Sequence, residues 1–524
     1  MKPSIFNDVL GPVMRGPSSS HTAASLRIGT IARQLCPHEP RDVLVEFHSG
    51  GPLATTYEGQ GSAMGLTSGL LGLSILDRSM TRHNELARER GLKIDFKVAD
   101  YEASHPNTYR ITIDGHGHEP LRITALSTGG GMIQVVSIDD FEVSICGDYF
   151  ETLIRCDSSS AETIEGFRRT LTDRLPQAQI VLLRRGDTGF LFQCRSGKPL
   201  PHVISDVFSG YAGTRWIRHL EPVLPIPSGS EQPLPFTSVE EIMASGEFRS
   251  CDLAELAVRY ESARAGVEPS KILSLTAEIA GHIRSSIETG MKGTVYRDRI
   301  LGQQSHLMLK AEQEKKIFAM PFNTVIAYVT AIMEAKSAME IIVAAPTAGS
   351  CGTLGGSIYG IEKHFPARQE DIMKAFIAAG LIGVFIADKY TFAAEEGGCQ
   401  VESGAAAAMT AAGLVQLLGG SALQGLNAAS MALQNSLGLI CDPVAGRVEV
   451  PCLGKNILAA ANALGCAHMS MAGFDPVIPL NEVIDTMKSV GAAMPRSLCC
   501  TGLGGLSVTP TSQRIHIELQ RKGN

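Results

Sequence analysis

The sequence predicts a multidomain protein: an α+β N-terminal domain, a small α+β segment, and a large all-α C-terminal domain. Three observations carry that expectation. A chain of 524 residues exceeds what one hydrophobic core supports, so two to four domains are expected. Short period-two runs in the first part give way to helical periodicity and Ala-rich faces in the last 290 or so residues. Between the two regimes lies "EPVLPIPSGSEQPLPFTS", Glu221–Ser238, with five prolines in eighteen residues, the composition of a linker. The expected boundaries are 1–140 for the first domain, 141–200 for the small segment, 201–238 for the linker and 239–524 for the helical domain.

In chain order, "HTAASLRIGTIARQL" reads as a helix, and "DVLVEFHSG" and "YRITIDGHG" read as strands. Glycine-rich turns, "SGGP", "GQGSAMG" and "STGGGM", separate them and suit close backbone approach. "FEVSICGDYFETLIRCDSS" then reads as strands, "SAETIEGFRRTLTDRL" as an amphipathic helix, and "AQIVLLRRGDTGFLFQCR" as two strands around a Gly-Asp turn. That β-α-β-β order resembles an ACT domain, a small regulatory fold that often binds amino acids. A plain α+β insert is the alternative. After the linker, "SVEEIMAS", "CDLAELAVRYESARAG", "TVIAYVTAIMEAKSAMEIIVAA" and "ARQEDIMKAFIAAGLIGVFIADKY" are all expected to be helical.

Composition excludes several classes. Net charge is −7, the isoelectric point is near 6.1, and no Lys/Arg run marks a nucleic-acid surface. The N-terminus lacks the apolar core of a secretory signal, and twelve scattered cysteines suit a reducing cytoplasm. From Ser403 to Ile440 no residue is charged, but interspersed Gln and Asn make buried, tightly packed helices the expectation, not a membrane span.

The chemistry is expected at "GGCQVESG" and "LICDPVAGRVEVPC". Cys399, Cys441 and Cys452 each sit at a break in helical sequence, where a side chain can face a cavity. Three readings stay open on the residues alone: buried small hydrophobes, a zinc site without the usual C-x-x-C hairpin, or an iron–sulfur cluster with three thiolates and one open iron. "SSSHT", Ser18–Thr22, precedes a helix and offers hydroxyls and N–H groups to a carboxylate, or simply an N-cap. "PTAGS", Pro346–Ser350, is a similar loop in the other domain.

These motifs resemble the iron–sulfur-dependent L-serine dehydratases (L-serine ammonia-lyases). The α portion of that family is matched by "APTAGSCG", "GGCQVESGAAAAMTAAG", "GLICDPVAGRVEVPC" and "TGLGGLSVTPT", and the β portion by "GPSSSHTA", "HPNT" and "TGGGM". The resemblance implies a cytoplasmic lyase of amino-acid catabolism and gluconeogenesis, with a β-type domain at 1–140 fused to an α-type catalytic domain at 239–524. It implies a [4Fe–4S] cluster on Cys399, Cys441 and Cys452, a small amino-acid substrate, and a homodimer. Ser18, Ser19, Ser20, Thr22, Thr347, Ala348 and Gly349 are expected to bind substrate, with His21 and His105 as candidate bases.

The sequence also departs from the family. G-H-G-T-D is replaced by Gly59-Gln60-Gly61-Ser62-Ala63, N-A-S-I-S-G by "KYTFAA" at Lys389–Ala394, and R-E-T by Cys499-Cys500-Thr501. Substrate choice is therefore open. A dehydratase of another small hydroxy acid, a non-catalytic amino-acid sensor, and a zinc or thiol enzyme using Cys499 and Cys500 are the competing expectations.

Overall fold

The structure is a computed structural model. It describes all residues except 1, 116–117, 158–159, 187–188, 201–207, 209–212, 229–232, 246–247, 249, 297–298 and 524.

The N-terminal α+β region starts with a helical turn, Ile5–Val9, and strand β1, Val13–Arg15. Helix α1, Ala24–Leu35, follows, then β2, Asp42–His48, and α2, Ser62–Leu70. The chain continues through β3, Lys93–Ala99; β4, Thr108–Gly115; β5, His118–Gly129; β6, Met132–Ile138; and β7, Phe141–Ile145. The sheet order is β3-β2-β4-β5-β6-β7, parallel between β2 and β3 and antiparallel elsewhere. Val43, Val45, Phe47, Tyr109, Ile111 and Ile123 pack in one apolar cluster with Ile28, Ile31 and Leu66 of the two helices. The alternating apolar residues of β2 and β4 supply that face, as period-two patterning requires. α1 and α2 touch backbone to backbone: a methyl group on Gly65 or Gly69 would collide with the carbonyl oxygen of Thr22 or Leu26. That contact is why "GQGSAMGLTSG" carries so many small residues.

A second sheet is built from β8, Phe150–Asp157; β9, Gln179–Arg185; β10, Gly189–Ser196; and β11, Thr214–Leu220, with helix α3, Ala161–Arg174, between β8 and β9. Its order is β11-β8-β10-β9, antiparallel throughout. Phe167 and Leu171 of α3 pack on Phe190 and Phe192 of β10.

The C-terminal region is helical: α4, Leu253–Ala265; α5, Pro269–Lys292; α6, Pro321–Ser337; then a short strand β12, Ile341–Val343; α7, Cys351–Glu362; α8, Gln369–Lys389; α9, Ser403–Leu417; α10, Ala422–Gln434; α11, Cys452–Met471; α12, Leu480–Ala493; and α13, Pro510–Gly523. α9 is the hub, buried along its length except at Gln416. Its Ala and Gly faces let α7, α8, α10 and α11 close in around it. This is the uncharged run read above as buried helices, and no helix among the described residues is long and apolar enough to cross a membrane.

Four details correct the expected layout. "EIIVAA" is not the end of a helix. Ile341–Val343 instead pairs antiparallel with β1, Val13 opposite Val343 and Arg15 opposite Ile341, so the C-terminal domain is not all-α. The first residues belong to the helical core: Ile5, Phe6, Val9 and Leu10 are buried there, and the Glu261 carboxylate accepts from Ser4 Oγ at 2.6 Å and Ile5 N at 2.8 Å. Finally, β11 forms inside the stretch expected to be linker, because "TRWIRHL" carries the β-branched and aromatic residues a strand favours, and Phe141–Ile145 closes the first sheet. The rest of the stretch is partly packed as well, with Leu224, Ile226 and Phe236 buried.

Candidate functional site

The β1–β12 pairing brings two loops to face each other. On one side Ser19–Ala23 forms a helical turn leading into α1. Ser18 Oγ lies 2.9 Å from His21 Nδ1, and Thr56 Oγ1 lies 3.0 Å from His21 Nε2. Thr22 Oγ1 donates to Gln60 O at 3.1 Å, and Ser127 Oγ donates to Ser20 O at 2.7 Å. On the other side Thr347 Oγ1 donates to Glu402 Oε1 at 2.6 Å. Asn456 of α11 fixes the same loop, its Nδ2 donating to Gly349 O at 2.7 Å while its Oδ1 accepts from Gly352 N and Thr353 N at 3.0 and 3.1 Å. A side chain at Gly349 would strike Glu402 Oε1 at 2.7 Å.

Between the loops is a cavity of about 30 Å³. Ser18, Ser19, Ser20 and Gln60 line it from the N-terminal region, and Thr347, Gly349, Phe392, Glu395, Glu402 and Cys500 from the helical region. Five of the seven expected substrate-binding residues therefore meet in one place. Thr22 and Ala348 are buried beside it and buttress the loops.

Cys500 lines this cavity, and Cys399 and Cys441 lie behind it, next to its lining residue Glu402. Cys399, Cys441 and Cys452 are all buried. The Sγ atoms of Cys399 and Cys441 and a carboxylate oxygen of Glu402 lie within 4.8 Å of one another. Cys452, the first residue of α11, stands outside that group, yet its thiol feels the charges of Cys399 and Glu402. Cys500 packs against Cys399 and Cys441, held there by its backbone, with Cys500 N donating to Cys441 O at 2.9 Å. A cluster several ångströms across spaces its ligands more widely than a single ion does. The two close thiols alone would suit a single ion, whereas the third set back and the fourth at the rim leave room for a larger group, and soft thiolates suit iron–sulfur or zinc.

Electrostatics single the site out. The hydrogen bond with Cys441, and then burial, hold the Cys399 thiol well above its ordinary range. For Cys441 the bond with Cys399 pulls down, but the bond with Cys500 and burial outweigh it, leaving it well above as well. Burial pushes Cys452 up to about 12, against the pull of Lys336 and Lys455. Lys455 Nζ donates to Asp442 Oδ1 at 2.7 Å and Ile440 O at 2.6 Å and lies 3.7 Å from Cys399 Sγ. Burial raises Glu402 to about 7, with the Thr347 hydrogen bond opposing. His21 is lowered to about 4 by burial. His105 is half-buried and away from the cavity lining. Its Nδ1 accepts from Asn107 N at 3.1 Å, and burial lowers it while the Glu396 charge raises it.

Sequence reasoning missed Glu402 and Asn456. Glu402 did leave a signal, as the last charge before the uncharged run 403–440; Asn456 left none, because its role depends on α7 packing more than a hundred residues away.

Residues 249–507 match the family model described as "Serine dehydratase alpha chain". The chain is 35% identical over 234 residues to the "Probable L-serine dehydratase, alpha chain" of Bacillus subtilis, covering 44% of this chain and 78% of that protein. It is 44% identical over 186 residues to the protein of the same name from Latilactobacillus sakei, covering 36% and 89%. It is also 40% identical over 151 residues to the "Probable L-serine dehydratase, beta chain" of Bacillus subtilis, covering 29% and 67%. With motifs of both chains joined in one polypeptide and its thiols gathered beside a serine-lined cavity, this chain belongs to the iron–sulfur L-serine dehydratase family.

Proposed function

We propose that the chain eliminates water from L-serine, or a closely related β-substituted amino acid, to give a 2-oxo acid and ammonia, pyruvate in the case of serine. The observation that carries this is the cavity shared by Ser18–Ser20, Thr347, Gly349 and Glu402, whose Glu402 also stands within 4.8 Å of the Cys399 and Cys441 thiols. Cys399, Cys441 and Cys452 would hold a [4Fe–4S] cluster, which supplies Lewis-acid pull on the departing hydroxyl.

The protein's own groups do the rest. The Ser18–Ser20 turn and the Thr347–Gly349 loop present hydroxyls and N–H groups to the substrate carboxylate. Glu402, which lines the cavity and accepts from Thr347, is the group we assign as the base that takes the Cα proton. His21 has both ring nitrogens occupied and so holds the serine turn in shape. His105 is the second candidate base. The enamine that elimination leaves tautomerises and hydrolyses in water without further catalysis.

The wider range of substrate has its own support. Gln60, Phe392 and Cys500 stand at the three places where the sequence leaves the family pattern, and all three line the cavity. The β8-α3-β9-β10 unit, completed by β11, has the antiparallel strand order of a split β-α-β fold, which supports an ACT-type regulatory role for that segment. A cytoplasmic homodimer is the assembly we infer.

Anaerobic reconstitution with iron and sulfide, followed by assay of 2-oxo acid from L-serine and other β-hydroxy and β-thiol amino acids, tests the reading. A brown protein that forms keto acid is expected. A colourless protein, or iron-loaded protein that binds amino acids without turnover, contradicts it.

A further inference from the structure

Lys336 has no part in the chemistry above, and its surroundings assign it one. It lies in the last turn of α6 with none of its surface exposed. Its Nζ has no hydrogen-bond partner among the described residues. A buried ammonium without a compensating partner is costly, and the partial negative charge of the helix C-terminus offsets only part of that cost. α6 packs against α11: Met333, one turn before Lys336, and Asn456, one turn after Cys452, both lie against Gly352, and the charge of Lys336 acts on Cys351, Glu402, Glu449 and Cys452. Two of them are spoken for. Glu402 Oε1 takes the Thr347 hydroxyl, and Glu449 Oε2 accepts from Ile300 N and Leu301 N at 2.7 and 2.9 Å. The second cation of the site, Lys455, differs in carrying its own carboxylate, Asp442, at 2.7 Å. The thiols are thus flanked by two lysines, from α11 and α6, and only the one on α6 lacks a protein anion within hydrogen-bonding reach.

We propose that Lys336 is a positioning residue, the buried counter-cation of the metal–thiolate group held by Cys399, Cys441 and Cys452. This rests on the iron–sulfur reading of the site. Three thiolates outweigh the positive charge of an oxidised iron–sulfur cube, so the loaded site is anionic. In a low-dielectric interior a fixed cation beside Cys452 acts strongly on that surplus charge. It favours retention of the metal group and favours its reduced, more negative form over the oxidised one.

Lys336→Met keeps the length of the stem and removes the charge; Lys336→Gln is a second uncharged variant should the first not fold. Three quantities are measured: the melting temperature of the iron-free chain, the rate of iron loss from the reconstituted chain to a chelator, and the cluster's midpoint potential by spectroscopic redox titration. The iron-free variant is expected to melt above the parent, because a buried unpaired charge is gone. The reconstituted variant is expected to lose iron at least tenfold faster and to hold a cluster that is harder to reduce. Equal iron loss and equal potential overturn the role of Lys336, and an iron-free variant no more stable than the parent overturns the claim that the ammonium is uncompensated. A parent chain that takes up no iron overturns the iron–sulfur reading itself, while a parent that holds iron beside an indistinguishable variant overturns only this inference.

Discussion

Two buried cysteines, Cys194 and Cys452, share an acidity and little else. Burial pushes each thiol up to about 12. Cys194 lies in the apolar cluster between α3 and the second sheet, among Phe167, Phe190 and Phe192. The charge it feels is that of a carboxylate, Glu151, which raises it further. Cys452 is buried too but has Lys336 and Lys455 pulling it toward the thiolate, against the opposing charges of Cys399 and Glu402. The difference teaches that burial alone does not mark a functional thiol. What marks it is cations and polar groups placed to stabilise a charge the apoprotein does not yet carry.

The largest effect expected from this contrast is on metal content. Cys399→Ser, Cys441→Ser or Cys452→Ser should each reduce reconstituted iron and sulfide to near background, whereas Cys194→Ser should leave both at the parent level. The cost of Cys194→Ser is roughly 1–3 kcal/mol of stability, from burying a hydroxyl without a partner, read by denaturant titration. Full iron in the Cys452→Ser chain would break the comparison. Because the site thiols are protonated before metal binds, loading releases protons and should strengthen as pH rises.

Next comes Glu402→Gln. Loss of a positioned base should lower kcat by about 10²–10⁴-fold while iron content stays at the parent level. The same carboxyl also leaves a signature in stability. Its folded value, about 7, lies above the ordinary 4.5, so the native state holds its proton longer than the unfolded one. Stability therefore falls as pH rises from 4.5 to 7, by roughly 3 kcal/mol in all, and Glu402→Gln should remove that fall. His21 has the opposite sign. Its value is lowered from 6.5 to about 4, so the unfolded chain binds the proton first and stability is lost as pH drops from 6.5 to 4, again by roughly 3 kcal/mol. His21→Gln should flatten that acid limb, as read by urea midpoints between pH 4 and 7.

The smallest effect is expected at Cys500. It touches Cys441 and lines the cavity without being one of the three proposed ligands. Cys500→Ala should change KM by roughly fivefold, the equivalent of about 1 kcal/mol, with little change in iron. Loss of all iron in that variant would promote Cys500 to a ligand.

Much of this was legible in the sequence, for identifiable reasons. Helices such as α1, α3 and α8 follow from local periodicity, and the two facing loops from hydroxyl-rich breaks before helices. Ile341–Val343 was misread because its partner, Val13–Arg15, lies more than three hundred residues away, and nothing local distinguishes "EIIVAA" from a helix end. The burial of Ile5–Leu10 in the helical core has the same non-local origin. Glu402 was overlooked because a single carboxylate carries no pattern; only the fold sets it against Thr347 and two thiols.

Iron K-edge X-ray absorption on the anaerobically reconstituted parent chain, beside Cys452→Ser, tests the central claim most directly. The account predicts a sulfur-dominated first shell with short iron–iron scattering in the parent, and loss of both signals in the variant. An oxygen- and nitrogen-dominated shell without iron–iron scattering, or identical spectra from the two proteins, would contradict it.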